Sequence, residues 1–278
     1  MNSVYIIRDA AFGRDFMPKL IMGIVAIALA LWDARRQRRA DYLWVAAFGT
    51  ALWGGAEWLL SVQRIRDMPE RVLLGTPIGD VPSYLLQGLG EGAMVAVLGL
   101  FLGDRWLANR RRGTILAAVW LVLVAAATIR NKRLVSGVGE AASRRDVLDL
   151  RALLMLGAMV ALAAAFYWRW RRWRPRTAAM FIMMVLIGGV WTIAQTAIGG
   201  RWVEVAGSAP GTFTGAGTVL TIATLSWDVV FEIAAVYLPF LAIPVMLRLI
   251  RSPLPLPIGM GDGAAPGTGP RAPVVAAS

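Results

Sequence analysis

The sequence predicts an all-α integral membrane protein with seven transmembrane helices. Three observations predict this fold class. Of 278 residues, 58% are hydrophobic and only 17% are charged, the mean hydropathy is +0.60, and the apolar residues fall into seven long runs. A soluble domain usually carries about 25% charged residues, so the composition favours a membrane environment.

Each run has approximately the length that crosses a bilayer. About 20 apolar residues span the hydrocarbon core, and a run without a cleavage site is retained as a span. A Pro-, Gly- and Ala-rich stretch follows the single membrane domain (1–252), and we predict that this stretch, 253–278, is a disordered tail. The predicted spans are 16–33, 42–62, 83–103, 114–129, 148–168, 177–198 and 225–247.

Arginine clusters favour one orientation of these spans. The clusters at 35–39, 105–112, 169–176 and 248–251 all fall on one side, whereas most loop acids fall on the other. The positive-inside rule then places the N-terminus outside and the C-terminus in the cytoplasm. The formal net charge of +12 is explained by an Arg and Trp belt that meets anionic lipid headgroups at the cytoplasmic face. We therefore predict no nucleic-acid partner, and the oligomeric state is left open.

Two parts of the sequence also resemble each other. Repeat one (16–103) aligns with repeat two (148–247), and the helix at 114–129 links them. Four spans separate the copies, so this 3+1+3 arrangement predicts parallel repeats related by a pseudo-twofold axis along the membrane normal. The aligned positions are Trp53 with Trp191, Glu57 with Gln195, and Glu91 with Glu232.

The residue types present restrict the chemistry. The chain has no His and no Cys, which excludes His-based acid–base catalysis, thiol chemistry, iron–sulfur clusters and Cys/His zinc sites. We predict neither a metal nor a cofactor. Carboxylates, arginines, hydroxyls and aromatic rings remain for any reaction.

Four carboxylates lie inside predicted spans, where they are costly and indicate a functional site. With no Lys or Arg evident in the span interiors beside them, we expect some of them to be protonated and able to donate a proton. Packing between helices is the alternative role. The candidate catalytic residues are Glu57, Glu91, Asp228 and Glu232.

Aromatic and amide side chains share helix faces with these acids or lie next to them. Residues four apart lie on one face of a helix, and indole faces stabilise cations. We therefore predict a polar layer near the outer side that binds substrate. Its candidate substrate-binding residues are Trp53, Gln87, Trp191, Gln195 and Trp227.

Two family resemblances follow from these positions. The layout resembles the seven-span membrane terpene cyclases, with Glu57 in LWGGAEWLL and Asp228 in LSWDVVFEI at the positions of the acids on their second and last helices. The duplicated plan resembles the membrane lycopene cyclases, and PERVLLGTPIGDVP at 69–82 is similar to the loop before their acid pair. That pair is missing here, because Ser83 follows Pro82.

The terpene cyclase resemblance implies a cofactor-independent, proton-initiated cyclase or isomerase of an isoprenoid lipid. In this hypothesis Glu57 and Asp228 are acid and base, and Glu91 and Glu232 orient them or stabilise positive charge. The alternative is a transporter of a small solute, cation or proton with a parallel-repeat fold. A scaffold subunit without chemistry is a third possibility. The loop 201–224 is expected to be a connector or a lid over the polar layer.

Overall fold

Seven helices long and apolar enough to cross a membrane confirm the multi-pass prediction. The computed structural model describes residues 3–67, 70–134 and 139–253, so the predicted tail lies outside the described residues apart from Pro253. Within the described residues the helices are α1 (Met17–Gln37), α2 (Asp41–Val62), α3 (Asp80–Ala108), α4 (Arg110–Leu134), α5 (Leu150–Arg169), α6 (Arg171–Ala197) and α7 (Thr218–Met246).

Two of these helices form the centre of the bundle. The most apolar stretches of α3 and α7 are 83% and 78% buried, whereas that of α4 is 17% buried. The central helices are therefore enclosed by protein, and α4 presents most of its surface to the surroundings. Helix α3 packs against α1, α2 and α6, so it contacts both predicted repeats.

Both central helices widen into π-helical segments. These segments are Gly88–Ala93 in α3 and Asp228–Ala235 in α7. A π-helical turn interrupts the regular hydrogen-bond ladder and is frequent at functional sites. The two segments contain three of the four predicted intramembrane carboxylates.

A β-sheet covers one end of the bundle, which the all-α prediction missed. The strands are β1 (Val4–Asp9), β2 (Arg66–Asp67), β3 (Val72–Leu73), β4 (Thr76–Pro77), β5 (Ala141–Asp146), β6 (Arg201–Ala206) and β7 (Phe213–Gly215). Five of them pair in the order β2-β5-β1-β6-β7, and a separate hairpin joins β3 and β4. The loop 201–224 therefore contributes two strands and the start of α7, in place of the expected connector or lid.

The opposite end of the bundle contains a buried ionic network. The Arg176 guanidinium donates to both carboxylate oxygens of Asp104 at 2.8 Å and lies 2.9 Å from Asp41. The Tyr42 hydroxyl also donates to Asp104, at 2.8 Å. Arg176 is fully buried, so its assignment to a lipid-facing arginine belt is wrong. Its charge ties α3 to α6.

Close packing between α2 and α3 generates a first prediction. A Cβ added at Gly88 would overlap the backbone oxygen of Thr50 and lie 2.8 Å from the backbone nitrogen of Gly54. Overpacking typically costs about 1–3 kcal/mol. We expect Gly88→Ala to lower the free energy of unfolding in detergent by at least this amount, as measured by tryptophan fluorescence.

The matched control is Gly55→Ala on α2. A Cβ at Gly55 meets no atom within 4 Å, so this variant should be as stable as the parent or slightly more stable. Equal stability of Gly88→Ala and Gly55→Ala would contradict the packing.

Candidate functional site

The intramembrane carboxylates converge beneath the sheet, and each contacts an arginine from a strand. The Arg8 guanidinium of β1 donates to Glu91 of α3 at 2.7 Å. Arg66 of β2 forms an ion pair with Glu57 of α2. All four side chains are buried, so these pairs are shielded from water.

The two acids of α7, Asp228 and Glu232, share one arginine. Arg201 of β6 donates to Asp228 at 2.6 Å, and Arg145 of β5 donates to the other oxygen of the same carboxylate at 3.0 Å. Arg145 also pairs with Glu232. The polar layer therefore contains four carboxylates and four strand arginines, which form a cluster of three neighbouring ion-paired groups.

Strand geometry explains how four arginines reach one layer. Side chains alternate between the two faces of a strand, and Arg145 and Arg201 lie at buried positions of that alternation, whereas β1, which carries Arg8, is buried along nearly its whole length. Arg8 is directly opposite Arg201, and Arg66 is directly opposite Arg145. Like charges at opposed positions repel, so the sheet needs the helix carboxylates to bring these cations together.

Burial and the neighbouring carboxylates shift the pKa values of Arg8 and Arg201. Burial tends to lower the pKa of Arg8, but the combined attraction to Glu91, Asp228 and Glu57 outweighs burial and raises that pKa. For Arg201, burial outweighs attraction to Asp228, and the pKa falls below its ordinary value. The carboxylates therefore allow the two positively charged side chains of Arg8 and Arg201 to lie opposite each other in the sheet.

The expectation that the four acids lack cationic partners is wrong. Their partners come from strands outside the apolar runs, so inspection of span interiors could not find them. Asp228 does not lie at the start of its helix, because α7 begins at Thr218 and Asp228 opens its internal π-helical segment.

A cavity of about 500 Å³ lies beside the polar cluster, between α1, α3, α4 and α6. Most of its wall is apolar, including Met94, Leu98 and Ile187. Ile21 and Leu123 line it while more than half exposed, so the cavity opens sideways between α1 and α4. An opening of this kind would face lipid in a membrane.

Two of the predicted site residues line this cavity. Glu91 and Trp191 contribute to its wall, and the Arg8 guanidinium lies 5.8 Å from the centre of the Trp191 ring. Glu57, Asp228 and Glu232 are buried in the ion-pair cluster outside the cavity wall. The predicted catalytic acids are therefore brought together, but only Glu91 meets the cavity.

The remaining predicted residues have different positions. Trp53 is buried edge-on against Tyr237, with ring centres 5.0 Å apart. The buried amides of Gln87 and Gln195 have no hydrogen-bond partner within the described ranges. Trp227 is 38% exposed and stacks on Phe231 at the surface, so it lies outside the wall of this cavity.

The cationic half of the site was not predicted from the sequence. The four strand arginines lie in short segments outside the apolar runs, and Lys19 lies in the first turns of an apolar run. One feature of the sequence could have pointed to the four strand arginines. Arg8 and Arg145 each precede the first span of a predicted repeat, and Arg66 and Arg201 each follow the second span of a repeat.

Comparison with known proteins found no match. The chain matches no family model, and neither a curated protein nor a solved structure matches it. The assignment of function therefore rests on the site itself.

The Arg66–Glu57 pair generates a stability prediction. Removing one partner of a buried ion pair typically costs about 3–5 kcal/mol, because the other charge stays buried without compensation. We expect Arg66→Met to lower the free energy of unfolding in detergent by this amount. The double variant Arg66→Met/Glu57→Met should recover most of the loss.

The control is Arg144→Met, which removes the partner of Glu204 on β6. This pair is partly exposed, and such pairs contribute about 1 kcal/mol or less. An Arg66→Met protein as stable as Arg144→Met would show that the cluster is not a buried ion-pair network.

Proposed function

We propose that the protein is a membrane enzyme that binds an isoprenoid lipid in the cavity between α1, α3, α4 and α6 and isomerises or cyclises it. The observation that carries the proposal is the placement of Glu91 and Trp191 on the wall of a sideways-opening apolar cavity. Its volume of about 500 Å³ falls within the range of sites that bind small organic ligands.

The character of the wall supports a lipid over a hydrated solute. Apolar side chains dominate the cavity, and burying a polar molecule there would leave many of its groups without hydrogen bonds. A transporter of a small cation, the alternative from the sequence, would need carboxylates free to bind it. The four candidate carboxylates are instead paired with arginines.

Glu91 supplies the acid–base chemistry in this proposal. A charged carboxylate can take a proton from one carbon of a lipid chain and return it to another, which isomerises a double bond without a cofactor. A cyclisation would begin when a phosphate group leaves the chain with its bonding electrons, so that a carbocation forms. The indole face of Trp191 could stabilise this positive charge, and Glu91 would take the proton that is released once the ring has closed.

Glu57, Asp228 and Glu232 take a structural role in the proposal. Each pairs with a strand arginine outside the cavity wall, so each helps to hold the sheet on the bundle. This assignment departs from the terpene cyclase resemblance, in which Glu57 and Asp228 are the reacting acids.

The sheet supports an origin by duplication. Exchanging β1 with β5 and β2 with β6 leaves the strand order β2-β5-β1-β6 unchanged. The same exchange converts the Arg8–Arg201 pair into the Arg145–Arg66 pair and the Arg8–Glu91 contact into the Arg145–Glu232 contact. This correspondence is what a pseudo-twofold axis along the membrane normal requires.

The positions of the exposed arginines bear on the orientation of the protein in the membrane. We propose that the sheet lies outside and that the opposite end of the bundle faces the cytoplasm. Exposed arginines at 35–36, 110–112 and 171–172 lie at that opposite end, where the positive-inside rule places them.

The proposed chemistry predicts a large effect of Glu91→Gln. General acid–base catalysis contributes typically 10²–10⁴-fold, so the amide should lower the rate of product formation by about that factor. Membranes containing the protein are incubated with isoprenoid alcohols, phosphates and epoxides, and isomerised or cyclised products are measured by mass spectrometry.

The control is Glu204→Gln, which removes an ion-paired carboxylate on the sheet away from the cavity. It should keep the parent rate. Full activity of a folded Glu91→Gln protein would overturn the role of Glu91.

A further inference from the structure

One buried cation is not matched by the carboxylates of the polar layer. The four strand arginines pair with Glu57, Glu91, Asp228 and Glu232, and Lys19 of α1 adds a fifth positive charge to four negative ones. Lys19 is 4% exposed and lines the cavity next to Glu91. Burial of such a charge is costly unless something compensates it.

The protein compensates Lys19 only in part. Its ammonium donates one hydrogen bond to the backbone oxygen of Phe12 at 3.3 Å and lies 3.9 Å from the centre of the Phe16 ring. Within the described part of the chain it forms no ion pair with a carboxylate. An ammonium has three N–H donors, so two remain for another acceptor.

The position of Lys19 is fixed by close helix packing. A Cβ added at Gly90 of α3 would lie 2.6 Å from the Cα of Lys19, so the two backbones touch where the cavity meets the polar layer. The ammonium therefore lies at the polar end of an apolar cavity. The nearby N-terminus of α1 also carries partial positive charge.

Three other charged groups face the cavity. Glu91 is neutralised by Arg8, and Arg130 is an exposed cation at the rim. Asp15 is the one acid that opposes Lys19, and its carboxylate accepts a hydrogen bond from the backbone nitrogen of Met17 at 3.0 Å. Two cations, Lys19 and Arg130, and two acids, Glu91 and Asp15, therefore line the cavity, and the charge around it is positive once Arg8, which pairs with Glu91, is counted.

We propose that the lipid in the cavity carries an anionic head, a phosphate or a carboxylate, which binds the Lys19 ammonium while its hydrocarbon chain fills the apolar part. This proposal rests on the cavity of the proposed function and specifies the ligand that it takes. An anionic oxygen would use the two remaining donors of Lys19.

The test compares lipids that differ only in the head group. The full chain in detergent is titrated with farnesyl phosphate, with farnesol and with inorganic phosphate, and dissociation constants are measured. A hydrogen bond to a charged group contributes about 1.5–3 kcal/mol, so farnesyl phosphate should bind roughly ten- to a hundredfold more tightly than farnesol. Inorganic phosphate should bind far more weakly than either lipid.

Variants assign this preference to Lys19. Lys19→Met should reduce the affinity for farnesyl phosphate to that for farnesol and leave farnesol binding unchanged, which also shows that the variant is folded. Lys19→Arg should keep the preference. Asp15→Asn removes the opposing charge but keeps a helix-capping acceptor, so it should tighten farnesyl phosphate binding severalfold.

A matched pair of variants on α4 separates this proposal from the proposed function. Ala127 lines the cavity and its neighbour Ala126 does not, so Ala127→Trp should abolish binding of both lipids and Ala126→Trp should not. Equal binding of farnesol and farnesyl phosphate, both lost in Ala127→Trp, would overturn the anionic head and leave the lipid cavity standing. Binding of neither lipid, or no effect of Ala127→Trp, would overturn both proposals. Inorganic phosphate bound as tightly as farnesyl phosphate would make this an anion site without a lipid.

Discussion

A carboxylate in the apolar part of a membrane protein needs a cation close by, and this requirement organises one whole end of the molecule. The helices α2, α3 and α7 carry the acids, and the strands of the sheet carry the arginines. Neither set is tolerable alone, because unpaired acids would be buried without compensation and opposed arginines would repel. The ion pairs therefore hold the sheet and the bundle together as one structure.

This constraint also shapes the cavity. Three of the acids are enclosed in the ion-pair cluster, whereas Glu91 belongs to both the cluster and the cavity wall. Its pairing with Arg8 places a charged carboxylate at the edge of an apolar space, which is the arrangement that the proposed acid–base chemistry uses. Lys19 lies at the same edge and supplies the positive charge that we assign to binding the lipid head.

Hydropathy was sufficient to predict the seven helices, because crossing a bilayer requires runs of apolar residues that any window finds. The rarity of intramembrane acids likewise made Glu91 a candidate, and Glu91 lines the cavity. Glu91 and Glu232 align in the sequence, and each contacts a strand arginine, Arg8 or Arg145. The strands could not be predicted, because short segments such as β2 acquire strand structure only by pairing with distant β5. The position of Trp227 away from the cavity could not be predicted either, because helical spacing shows which residues share a face but not what packs against that face.

The charge state of the intramembrane acids tests the central claim most directly. Infrared spectroscopy of the protein in lipid detects the carbonyl stretching band of a protonated carboxylic acid, and Glu91→Gln and Asp228→Asn assign such a band to a residue. The ion-pair account predicts that the parent spectrum at neutral pH contains no protonated-carboxyl band that disappears in either variant. A band lost in Glu91→Gln or in Asp228→Asn would show a neutral acid at that position and would contradict the account.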